Sequence, residues 1–298
     1  MNPTHPSRTQ AERADQTRAR ILVAAVSHFS DNGLAGARME LIAEAAGVTK
    51  ALLYYYFRSK DELYAAVLEH VVEGVRASSM AVLEAKASAG ERFLMAVLNH
   101  FDRIHTNRGF QSLMQQEMIR LHRGEDNALS PLVDKIFRPL MRRMQQVLEE
   151  GIASGELIDT DPTQIRYAAM GANVFYFMSA PLIQMIDGGD LLSWRALEFR
   201  RSSAIRYLGL TIFTYRRHGE SVAERVLDTT PMPEHNGIEP LPMPGFRAKK
   251  SVRAVPVMVY PDEQQAKADS SASLRNDKQI GLQQFGNRFK KKSEVRHK

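Results

Sequence analysis

The stretch from Gly47 to Leu63, GVTKALLYYYFRSKDEL, sets four consecutive rings, Tyr54, Tyr55, Tyr56 and Phe57, among Lys50, Arg58 and Lys60. Rings in that number suit a buried helix; the cations beside them suit a surface. Three successive tyrosines sweep about 200° of a helix at 3.6 residues per turn, so one core cannot hold them all. A helix lying in the major groove of DNA meets both demands, with dry protein on one side and phosphates and base edges on the other. On that reading Leu53 and Phe57 face the protein, Tyr56 lines the boundary, and Thr49, Lys50, Ala51, Leu52, Tyr54 and Tyr55 form the free face. Lys50 suits a phosphate or a guanine edge. Thr49 bonds a phosphate oxygen while capping the helix. Tyr54 and Tyr55 are rigid stems ending in hydroxyls. Lys60 opens the following helix, where unpaired N–H groups and the positive dipole end favour phosphate.

A recognition helix needs a second helix to set its angle. Met39–Ala46 supplies one: Ile42 and Ala46 point inward, small Ala43 permits a close crossing, Gly47 turns the chain and Val48 anchors the turn. Small residue, four positions, glycine, six positions, apolar residue is the packing requirement of a helix-turn-helix. Upstream, Ile21, Leu22, Ala25, Val26 and Phe29 recur at helical spacing from about 13 to 30, and Asp31-Asn32-Gly33 stops the helix. Downstream, Ser59 and Glu62 form a capping box that opens a long helix over 60–87. Gly90 resets the chain, and further helices are expected near 91–106, 110–122, 131–154, 162–186 and 191–217. No strand alternation appears in the first 218 residues, so the fold is expected to be all-α. The chain divides into four segments: a flexible arm over 1–12, a three-helix DNA-binding domain over 13–68, a helical regulatory and dimerisation domain over 69–218, and a disordered, Pro-containing basic tail over 219–298.

Composition narrows the function. The 298 residues carry a formal net charge of +6, which favours polyanion partners. The absence of cysteine excludes disulfides and thiolate metal sites and points to the cytoplasm. The first twenty residues show no apolar leader, and no long uncharged apolar run is expected to span a membrane. No Ser-His-Asp set, phosphate-binding glycine loop or carboxylate pair with a nucleophile is present, so neither an enzyme nor a cofactor is expected. Asp102 and His105 share a helix face, but one such pair is a poor metal site.

The helix near 162–186 is apolar almost all round. Ala168 and Ala172 would let another helix approach closely. With Ala204 and Tyr207 of the last helix they are expected to form a four-helix interface between two copies, intrachain core being the alternative. A ligand pocket is expected among the helices of 91–186. Its candidates are Phe101, His105, Phe110 and Met114, with Met118, Phe137, Met144 and Phe175; the alternative for each is plain packing. Few charges fall inward there, which favours a hydrophobic effector. In the tail, Arg288 and Lys290–Lys292 suit non-specific DNA binding. Ile280, Leu282, Phe285 and Phe289 equally suit an amphipathic helix, and a solvated tail is the third reading.

The segment from Ile42 to Leu68, IAEAAGVTKALLYYYFRSKDELYAAVL, resembles the N-terminal domain of the TetR/AcrR family of bacterial transcriptional regulators. Gly47-Val48-Thr49-Lys50, Leu53-Tyr54, Tyr56-Phe57, Ser59-Lys60 and Leu63 carry the resemblance, which covers about a fifth of the chain. It implies DNA contacts by Thr49, Lys50, Tyr54, Tyr55 and Lys60, where Tyr55 stands at a position often histidine in relatives. It also implies a homodimer on a pseudopalindromic operator, released by a small molecule. The family's hydroxyl residue at the start of the second helix is replaced by Ala37-Arg38, so Arg38 is expected to meet phosphate by charge instead. An interaction protein that keeps the fold without specific DNA binding is the rival expectation.

Overall fold

The computed structural model describes residues 10–233, and among these the chain is helical, with one isolated antiparallel bridge between Leu157 and Phe213. Helix α1 (Gln10–Gly36) buries Ile21, Leu22, Ala25 and Phe29 along one stripe and loses helical geometry at Gly33, whose φ is 68°. Helices α2 (Met39–Ala45) and α3 (Lys50–Tyr56) flank Gly47, at φ 64°. Both glycines take a left-handed conformation that a Cβ disfavours. Helix α4 (Lys60–Leu83) is capped by Ser59, whose Oγ accepts from the Glu62 N–H at 3.1 Å. Glu62 reaches back as expected, but to the N–H of Arg58 at 2.9 Å.

Two cores hold the helices together. The first gathers Leu53, Phe57, Leu63 and Tyr64 with the α1 stripe, and it continues beyond residue 68 into Leu113, Leu129, Leu132 and Ile136. The second joins α5 (Ala89–Thr106) to α8 (Arg138–Ala153), α10 (Trp194–Thr211) and α11 (Arg216–Thr229) through Phe93, Leu94, Val147, Leu148, Ile205 and Val222. Between α5 and α8 lie α6 (Arg108–His122), α7 (Ser130–Leu132) and a π turn, Val133–Phe137. The single helix expected over 131–154 is thus divided. Pro139 explains the division, because its ring clashes with the carbonyl four residues earlier and the backbone widens to relieve it.

The helix expected over 191–217 is also two. The chain turns after α10, where Ile158 N–H donates to the Ile212 carbonyl and Thr214 N–H to that of Glu156, each at 3.0 Å. Helix α11 then lies on α10 at a crossing so close that a Cβ on Gly219 would stand 1.9 Å from the Gly209 oxygen. Its buried Val222, Ala223 and Val226 correct the expectation of a tail from residue 219. Three apolar positions in a charge-rich segment were too thin a signal. The remaining expectations for the tail, Arg288 and Phe289 included, lie outside the described residues, as does most of the N-terminal arm.

Helix α9 (Pro162–Asp187) is long and apolar enough to cross a bilayer. This corrects the expectation that no such run exists: Tyr167–Ile186 carries no charge. Its inner side is docked on protein, since Asn173 is buried and donates to the Val97 carbonyl of α5 at 3.1 Å. Contacts separate Leu182–Leu191 from the main unit, which runs to Pro181 and resumes at Leu192. Within the smaller unit Gln184 Nε2 donates to Asp190 Oδ1 at 2.8 Å.

Candidate nucleic-acid interface

Helix α3 is two turns long and sharply two-sided. Leu53 is fully buried and Phe57, its C-cap, nearly so, whereas Tyr55 is 81% exposed. Thr49, Lys50, Ala51, Leu52 and Tyr54 are exposed with it, and Tyr56 is half-buried at the boundary. Thr49 caps the helix by accepting from the Leu52 N–H at 3.2 Å, which leaves its hydroxyl proton to donate outward. Tyr55 and Tyr56 meet edge to face at 5.5 Å, so the outermost ring is held by its neighbour. Arg18 of α1 lies 5.4 Å from the Phe57 ring centroid on the other side.

Two lysines are engaged in ways that spacing could not reveal. Lys50 Nζ bonds Glu40 Oε1 at 2.5 Å, and the same ammonium stands 5.9 Å from the Tyr54 ring. The hydrogen bond from Lys50 holds the Glu40 carboxyl below its ordinary pKa, and Glu40 holds the Lys50 ammonium above its own. Glu40 is therefore part of this surface although it lies ten residues upstream. Lys60 Nζ donates to the carbonyls of Ala35 and Ala37, at 3.0 and 3.3 Å. It ties the α1–α2 turn to the start of α4, with at most one ammonium proton left for a phosphate. Arg38, the N-cap of α2, is exposed and makes no side-chain capping bond.

The surface is fixed from behind. Glu117 of α6 is fully buried and accepts from Tyr64 Oη at 2.9 Å, Arg120 Nη1 at 3.1 Å and the Ala128 N–H at 2.7 Å. Burial, then the charge of Glu117, pushes the Tyr64 phenol above its ordinary pKa. Ser112 Oγ and Gln116 Nε2 donate to the Ser30 carbonyl near the end of the regular part of α1, at 2.6 and 3.3 Å. Helix α6 thus grips both α4 and α1. These residues did not stand out in sequence, because the bonds that tie α6 to α4 and α1 span more than fifty positions.

The expected pocket residues do not meet in one place. Phe110, Met114 and Phe137 pack against the first core and Met144 belongs to the second. Phe101 turns to α9, 5.0 Å from the Phe177 ring, and buried His105 lies 6.3 Å from Trp194. Met118 and Phe175 are exposed, which corrects their placement: helical spacing defines a face, not the direction that face takes. Two open grooves of about 490 and 420 Å³ lie elsewhere, lined by α1 with α2 and by α1 with α4. Of the expected dimer residues, Ala168, Ala172 and Tyr207 are exposed and Ala204 is half-buried. Asp102 accepts from Arg201 at both its oxygens, at 2.7 and 2.9 Å.

Comparison with known proteins agrees with this architecture. Residues 21–67 match the family described as bacterial regulatory proteins, tetR family, and residues 92–207 match the tetracyclin repressor-like C-terminal domain. The HTH-type transcriptional activator FasR of Mycolicibacterium smegmatis is 35% identical over 35% of this chain and 48% of its own. The repressor NicS of Pseudomonas putida is 44% identical over 23% of this chain and 32% of its own. This chain therefore spans half or less of those two relatives. RutR of Escherichia coli is 28% identical over 57% of this chain and 78% of its own. Among solved structures, a putative regulator from Saccharomonospora viridis in complex with choline shares the fold, with a TM-score of 0.53, 18% identity, and coverage of 68% of this chain and 99% of its own. Two matched domains in order, on an all-helical frame with a helix-turn-helix at its head, place this chain in the TetR/AcrR family of transcriptional regulators.

Proposed function

We propose that this protein is a cytoplasmic, DNA-binding transcriptional regulator, acting as a homodimeric repressor on an inverted-repeat operator. The observation that carries the reading is the two-sidedness of α3. Leu53 and Phe57 are sealed in the core, while Thr49, Lys50, Tyr54 and Tyr55 stand together outside it. Each protomer would place α3 in a major groove, with Arg38 on a flanking phosphate. Two such helices must sit about 34–36 Å apart, or a multiple of that, to reach successive turns. The exposed small and aromatic side of α9 and α10 would join the protomers and set that distance. A small apolar effector bound among α5–α9 would favour one separation over another, and its differential affinity is the whole of the switch.

Selection of bound sequences from randomised duplex DNA with the full-length protein, at near-physiological salt, tests the reading. An enriched inverted repeat is the expected result. Binding without enrichment, lost as salt rises, would leave an interaction protein on the same fold.

A further inference from the structure

Glu117 of α6 is fully buried, and its partner across the helix contact, Tyr64 of α4, belongs to the first apolar core. A buried carboxylate is costly, and apolar side chains of similar volume in its place are often as stabilising or more. Stability is thus a poor reason for a charge here. What the carboxylate adds is direction. Apolar contact is non-directional, whereas a hydrogen bond weakens steeply as it bends.

The three bonds to Glu117 come from three parts of the chain. Oε1 accepts from Tyr64 Oη and Arg120 Nη1, and Oε2 accepts from the Ala128 N–H, so both oxygens are used. Arg120 is itself fixed: its Nη2 donates to the Asp126 carbonyl, and its Nε lies 3.6 Å from Glu125. The carboxylate plane is therefore set by α6 and by the loop that follows it, and Tyr64 is the donor that α4 contributes. The Tyr64 ring meets Phe29 of α1 edge to face at 5.0 Å, so the phenol is aimed by one helix and caught by another. Tyr64 stands about one turn into α4, and only the three residues Phe57–Ser59 separate α4 from α3. A rotation of α4 about its axis carries the recognition helix with it.

We propose that Glu117, acting through Tyr64, is a positioning residue that sets the rotation of α4, and with it the separation at which two recognition helices meet DNA. This rests on the reading of the protein as a dimeric, operator-binding regulator. Neither residue touches DNA; their bond selects the spacing of the half-sites, not the affinity for one of them.

The test is a ladder of operator spacings, measured with full-length protein. The inverted repeat enriched by wild type is remade with its half-sites one base pair closer and one farther, a shift of about 3.4 Å each. A single half-site serves as the reference. Wild type should bind the altered spacings at least ~10-fold more weakly than its own, the cost of one or more lost base contacts. Tyr64→Phe keeps the ring and loses only the hydroxyl. It should bind all three spacings equally, and the half-site as wild type does. Glu117→Gln should flatten the ladder in the same way. A Tyr64→Phe ladder as steep as that of wild type, or one lowered equally at every spacing as reduced stability would lower it, overturns the proposal. So does a Tyr64→Phe protein too unstable to bind the half-site, since the bond would then serve the fold. Failure of wild type to enrich any inverted repeat is a different result: it sinks the regulator reading, and this inference with it.

Discussion

Helices α3 and α9 both hold aromatic side chains out to solvent, and their neighbours give those rings opposite uses. On α3 the exposed Tyr54 and Tyr55 stand among Thr49, Lys50, Arg58 and Arg38. On α9 the exposed Tyr167, Val174, Phe175 and Met178 stand on a helix whose stretch from Tyr167 to Ile186 has no charge. Rings beside cations suit a polyanion, where stems reach bases while charge displaces counterions. Rings beside alanines suit a second apolar helix, because small residues let backbones close. Exposure alone therefore says little about a partner, and the charge within one turn says most.

The contrast between the two helices is tested hardest on α9. Phe175→Glu places a carboxylate, and its symmetry mate, inside the proposed two-fold interface; it should weaken dimerisation at least ~100-fold. Sedimentation would show a monomer at concentrations where wild type is dimeric. An unchanged dimer would return α9 to some other partner. On α3, Lys50→Ala and Tyr54→Ala should each weaken operator binding about 10–100-fold, from loss of one good contact. The thermal midpoint should hardly move, since both side chains are exposed. Normal affinity in both would remove α3 from the interface.

The inner side of α9 should respond to pH. His100 bonds with Asn173 of α9 across 3.5 Å, and its pKa is depressed to about 4 when folded. Below about 6.5 the unfolded chain takes up a proton that the folded chain refuses until about 4, so stability should fall as pH drops through that window. His100→Gln should flatten the fall, measured as Tm against pH. The smallest effect belongs to Glu40. Glu40→Gln frees Lys50 of its partner, so affinity for random-sequence DNA should rise a few-fold and the salt slope steepen by about 0.9, one more phosphate neutralised. An unchanged slope would mean that the exposed pair is too loose to mask the lysine.

The helix-turn-helix was legible because its determinants are local. Gly47 turning, Thr49 capping, Leu53 burying and Ser59 restarting all act within a few residues, and each appears where spacing put it. The pocket was not legible. Phe101, Phe110 and Phe175 show helical periodicity alike, yet one packs on α9, one on the first core and one faces solvent. Periodicity defines a stripe, and only the packing of neighbouring helices decides what the stripe meets.

Residue order is enough to specify the helices, the turn that sets α3, and the division of that helix into a dry side and a free side, since these derive from backbone conformation and a 3.6-residue period. Which charges are spent is settled only by packing in three dimensions. Lys50 found Glu40, Lys60 found two carbonyls, and Glu117 found Tyr64 and Arg120. A charge's partner is a matter of distance in space, which the order of residues along a chain does not contain until the helices have packed.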